Sequence, residues 1–126
     1  MELIADTYLS VSAPVQWAAP WLLESRVELQ RQILARVRAN RAFLAGQIGP
    51  ESPWKLLGTE GGWYAVLEAP RIHTEEEWVL NLLADDGVLV QPGFFFDFEK
   101  EAFLVISLLT PEDNLQAGTR RILARS

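Results

Sequence analysis

The run Phe103-Leu104-Val105-Ile106-Ser107-Leu108-Leu109 constrains the fold more than any other segment of this chain. It is apolar on both alternating faces, and a strand with that pattern needs cover on both sides. Directly after it, Thr110-Pro111-Glu112-Asp113 opens a helix. The threonine is expected to cap it, the proline to take the first helical position, and the acids to favour the first turn. Leu115, Ile122 and Leu123 can face inward from there.

Upstream, Thr74-Glu75-Glu76-Glu77 has the form of a capping box. The Thr74 hydroxyl can accept from the Glu77 amide while the Glu77 carboxylate reaches back. Trp78, Val79, Leu82 and Leu83 give that helix its buried face, and Gly87 is the expected left-handed stop after Asp85-Asp86. Val88-Leu89-Val90-Gln91 reads as a short strand ended by Pro92-Gly93. Trp54-Lys55-Leu56-Leu57 and Gly62-Trp63-Tyr64-Ala65-Val66-Leu67 read as extended segments, the second ended by Pro70.

A long helix is expected from Trp21. Leu23, Val27, Leu34, Val37, Leu44 and Ile48 recur at helical steps, Leu29, Ile33 and Phe43 widen the stripe, and Gly46 and Gly49-Pro50 end it. Arg26, Arg31, Arg36, Arg38 and Arg41 alternate with Glu24, Glu28 and apolar residues, as on a solvated helix face. Residues 1–20, with breaks at Pro14 and Pro20, are too apolar for a free tail and too irregular for an independent element. The expected fold is α+β, a small, mostly antiparallel sheet of three to four strands packed with helices, in the order α-β-α-β-β-α.

Length allows one domain with a real core. A net charge of −6 disfavours nucleic-acid binding, which needs a basic surface. Without cysteine there are no disulfides, thiolate nucleophiles or cysteine zinc sites, and the lone His73 has no partners at ligand spacing. The start Met1-Glu2-Leu3-Ile4-Ala5-Asp6 lacks a basic region, and no apolar run reaches the ~20 residues that cross a bilayer. A cytoplasmic protein without membrane contact is the expectation.

Three blocks, in order, resemble the carboxy-terminal small domain of class I/II (fold-type I) pyridoxal-phosphate-dependent aminotransferases. Glu60-Gly61-Gly62-Trp63-Tyr64-Ala65-Val66-Leu67 is similar to the family's glycine-glycine-aromatic strand. Gly87 to Phe96, with Pro92-Gly93-Phe94-Phe95-Phe96, is similar to the strand and loop bordering the substrate entrance. Phe103 to Leu108 is similar to the strand that follows. Ala5 to Gln16 resembles the stretch downstream of the cofactor lysine. The resemblance implies that residues 1–20 pack on a large domain outside this chain and that 21–126 form the small domain. It also implies a homodimeric parent that binds pyridoxal phosphate, acts on an amino acid or an amine and keto substrate, and closes this domain over it.

Transamination needs a lysine for the cofactor, and only Lys55 and Lys100 are present. Lys100 lies in the polar stretch Asp97-Phe98-Glu99-Lys100-Glu101. Ser52-Pro53-Trp54-Lys55 fits the S-x-x-K spacing, but Pro53 disfavours the helix on which those two residues would meet. No catalytic, cofactor-binding or metal-ligating residue is therefore assigned, and the isolated chain is expected to be inactive. The resemblance makes Phe94, Phe95 and Val105 substrate-proximal. At Val105 the family places an arginine that forks onto the substrate carboxylate, and residues 101–111 contain no arginine. The acids Glu75, Glu76, Glu77, Asp85 and Asp86 read as helix-end charges. Two other readings remain open: a free-standing α+β ligand-binding or regulatory domain, and the small domain of another fold-type I enzyme.

Overall fold

A computed structural model describes residues 11–125. The start of the Ala5–Gln16 block and of the 1–20 segment lies outside them. The chain divides into two compact units, Met1–Ile33 and Leu34–Ser126. Helix α1, Ala13–Gln47, contributes to both.

The helix starts earlier than its sequence suggests, at Ala13 rather than near Trp21. The Ser12 carbonyl accepts from the amides of Val15 and Gln16, so Pro14 falls in the first turn, where no donor is needed. Pro20 lies inside the helix and removes one intrahelical donor. Ala18, Ala19, Leu22 and Leu23 around it are strong helix formers, which carry the helix through. The expected buried stripe is also shorter. Leu23, Val27 and Leu34 are exposed, and burial begins with half-buried Val37 and the fully buried Asn40 and Leu44.

The second unit is built on a four-stranded antiparallel sheet in the order β1-β2-β4-β3. Its strands are β1 (Lys55–Leu56), β2 (Tyr64–Glu68), β3 (Gln91–Pro92) and β4 (Phe103–Ser107). The central pair β2 and β4 aligns Tyr64 with Ser107 and Glu68 with Phe103. Alternation then divides their side chains. Ala65 and Leu67 on β2, and Leu104 on β4 with Leu108 just beyond it, enter the core. There they join Trp78 and Leu82 of helix α2 (Glu75–Asp86), Leu115 and Ile122 of helix α3 (Glu112–Leu123), and Leu44 of α1.

Two tryptophans fasten this core. Trp54 and Trp78 meet edge to face at 5.0 Å. Their indole N–H groups donate to the carbonyls of Arg125 and Pro70, so neither buries an unpaired donor. Asn40 donates to the carbonyls of Leu108 and Thr110, tying α1 to the end of β4.

The caps of α2 match their sequence signals. Thr74 and Glu77 form the reciprocal capping box, and Gly87 adopts φ 63°, ψ 31°. Its amide and that of Val88 return to the carbonyls of Leu83 and Leu82. The Val88 amide is thereby spent on the helix end, and the ladder of β3 is only Gln91–Pro92. Val90 goes into the core instead. Helix α3 departs by one residue from expectation: Pro111 occupies the cap position, and the Thr110 hydroxyl donates back to the Ser107 carbonyl.

Candidate functional site

The face of the sheet away from the core carries Val105, and the turn that borders it carries Phe94 and Phe95. Along β2 and β4 the same alternation assigns Tyr64, Val66 and Glu68, with Phe103, Val105 and Ser107, to that face. It is only partly covered, by a 3₁₀ turn over Gly93–Phe96 and the residues after it. Phe96 meets Tyr64 edge to face at 5.7 Å, and Phe98 lies 4.9 Å from the Phe103 ring. Tyr64 continues to Trp63 at 6.3 Å. Phe94 and Phe95 stack edge to face on each other at 4.8 Å.

This turn presents large apolar surface to solvent. Phe95 is 67% exposed, with Phe94, Phe96, Trp63 and Tyr64 each close to half exposed. An apolar groove of about 230 Å³ runs beside it, lined by Val79 and Leu80 of α2, by Leu89, and by Phe94 and Phe95. Contiguous exposed aromatics of this kind mark a surface that meets a partner or ligand. Of the three candidate residues, then, Phe94 and Phe95 stand together at the surface. Val105 does not join them, being 3% exposed and paired between Val66 and Gln91.

The most consequential residue here is one assigned above only a helix-end charge. Glu75 is 2% exposed, and its carboxylate accepts from the amide of Phe94 at 2.8 Å and of Phe103 at 2.6 Å. Those amides flank the two ends of the aromatic loop. Charged acceptors make the stronger hydrogen bonds, and a buried carboxylate needs them. The sequence held a signal for it: Glu75 shares the stripe of Trp78 and Leu82 at steps of three and four. Glu77, Asp85 and Asp86 do stay at the helix ends as charges. The Thr74 amide and hydroxyl hold the Glu77 carboxyl below its ordinary range. Asp85 and Asp86 pair with Arg125, whose guanidinium is held charged more firmly by them.

Both lysines lie at the surface of the described residues. Lys55 is exposed on edge strand β1, 3.8 Å from Glu68. Ser52 lies in the turn before it, with its hydroxyl accepting from the Trp54 amide, so the S-x-x-K spacing does not fall on one helical turn. Lys100 is also exposed. The described residues therefore do not fit a pyridoxal phosphate site of their own, which requires an enclosed lysine and phosphate donors. Among the described residues no cluster of three His, Asp or Glu could hold a metal ion, and no helix is long and apolar enough to cross a membrane.

No family model matches the sequence, and no curated protein does. Solved structures do match. YbdL from Escherichia coli, described as having a methionine aminotransferase function, superposes with a TM-score of 0.70 at 22% identity. The match covers 91% of this chain and 31% of that one. The aspartate aminotransferase of Rhizobium meliloti gives 0.62 at 24% identity, covering 78% of this chain and 26% of its own. An aminotransferase from Mycobacterium tuberculosis gives 0.62 at 27% identity, covering 75% and 25%. The fold is that of one part of an aminotransferase chain, and this chain spans a quarter to a third of the length of those it matches.

Proposed function

We propose that this chain is the carboxy-terminal small domain of a pyridoxal-phosphate-dependent aminotransferase, the part that closes over substrate. The observation that carries the reading is the fold match confined to a quarter to a third of each aminotransferase chain. The exposed aromatic turn supports it, since a surface of that kind is suited to burial against the rest of an enzyme. Residues 1–20 pack on the large domain, 21–126 form the cover, and a second subunit completes a homodimer. The parent is a cytoplasmic transferase.

In the parent the large domain holds the cofactor, which supplies the electron sink for chemistry at the substrate amine. This chain contributes exclusion of water and shape. Phe94 and Phe95 form an apolar wall at the entrance and favour substrates with an apolar side chain. Val105 stands where an arginine would grip the substrate carboxylate, so a cation from elsewhere in the parent takes that task or the amino donor is an amine without a carboxylate.

Isolated, the chain is expected to form no stoichiometric adduct when mixed with pyridoxal phosphate, reduced with borohydride and weighed by mass spectrometry. A stoichiometric adduct on Lys55 overturns the reading. In the full-length parent, Phe95→Ala is expected to raise KM for the amino donor several-fold with a smaller change in kcat. Unchanged KM across aliphatic and aromatic donors removes the turn from the substrate wall.

A further inference from the structure

We infer that Glu75 is a positioning residue, a single buried carboxylate that clamps both ends of the aromatic loop and so sets where Phe94, Phe95 and Phe96 stand. Within the loop the Asp97 and Phe98 amides close on the Gly93 carbonyl near its start, and the pairing of Pro92 with Leu104 joins the strands just outside it. Glu75 supplies the longer closure, from Phe94 to Phe103, across the mouth of the loop.

The surroundings are shaped to it. A Cβ built on Gly93 would lie 2.8 Å from Glu75 Oε1, 2.8 Å from Phe103 Cβ and 3.2 Å from the Phe103 carbonyl oxygen. Glycine at 93 is thus what allows the turn, the carboxylate and the first residue of β4 to approach so closely. Glu75 also sits at the first position of α2, where unpaired helix amides favour negative charge. Because α2 is fixed in the core through Trp78 and Leu82, the carboxylate transmits the position of that helix to the loop.

The clamp stands on these contacts alone, whereas the use of the loop as a substrate wall rests on the function proposed above. The test therefore reads the clamp in the isolated chain. Glu75→Gln keeps the shape but leaves one acceptor oxygen for two donors, and its amide nitrogen faces a donor. Residue-resolved amide exchange by NMR is expected to quicken about ten- to a hundredfold at Phe94, Phe103 or both, the loss typical of a hydrogen bond to a charged group. The Tyr64 ring lies 5.7 Å from the Phe96 ring, and the ring-current shift expected from it in the wild type shrinks in the variant. The ring signals of Trp54 and Trp78 keep their places. Unchanged exchange at both amides overturns the inference. So does equal quickening at Phe94, Phe103 and the core amides of β4, which is global loosening. Should Glu75→Gln fail to fold, Glu75→Asp gives the same readings, since its shorter reach cannot serve both amides.

Discussion

A methyl group at position 93 has no room, and that fact makes Gly93 a sensitive point of the loop. Gly93→Ala is expected to lower unfolding free energy by about 1–3 kcal/mol, as overpacking does when backbone and a buried carboxylate must yield, read from urea denaturation. Glu77 offers a different test. Its folded pKa lies below the ordinary 4.5 chiefly because the Thr74 amide donates to its carboxylate, with the Thr74 hydroxyl adding to this at the cap. Its contribution is complete above that ordinary value and is lost as pH falls through the depressed one. Wild type is therefore expected to lose its advantage over Glu77→Gln on acidification below about pH 4.5, in paired stability-against-pH curves. Glu75 and Glu77 behave differently, and composition alone could not separate them. Glu77 was legible from its spacing to Thr74, but Glu75 needs two amides brought from positions 94 and 103.

Elements were legible where local chemistry decides them. The capping box and Gly87 bound α2 as their residue types require, and the apolar run 103–109 became the central strand β4. What failed was read from proline and from periodicity. Pro14 and Pro20 did not break α1, and the stripe from Leu23 to Leu34 is exposed, because periodicity reports an apolar face and not its cover. Strand β3 is shorter than its apolar run, with the Val88 amide serving the preceding helix and Val90 entering the core. Within α3, a Cβ built on Gly118 would lie an ordinary van der Waals 3.7 Å from Val88 Cγ1, beside a small cavity of about 80 Å³. Gly118→Ala is expected to stabilise the chain by about 0.5–1 kcal/mol through helix propensity, seen as a raised Tm.

Over the whole molecule the five tryptophans divide by role. Trp54 and Trp78 are buried, while Trp17, Trp21 and Trp63 are exposed, Trp17 at 91%. So much aromatic surface on the isolated chain favours self-association. Light scattering is expected to rise with concentration, and Trp17→Ser with Trp21→Ser together to reduce it while leaving the near-ultraviolet signal of the Trp54–Trp78 pair. An unchanged concentration dependence in the double variant places the sticky surface elsewhere. The arrangement of Phe94, Phe95 and Val105 was not legible in the sequence, since the first two are turned out and Val105 is turned under by pairings between distant strands.

That strand order also bears on how the chain is made. The partner that β2 needs on its inner edge, β4, begins with Phe103, 35 residues after Glu68. At a synthesis rate of about 5–20 residues per second, β2 emerges several seconds ahead of it. During that interval a row of amides and carbonyls on β2 is open to any other extended chain. A nascent polypeptide stalled before Phe103 is thus a natural client for a chaperone, and release of the segment that begins with Phe103 is the moment at which the sheet can first close.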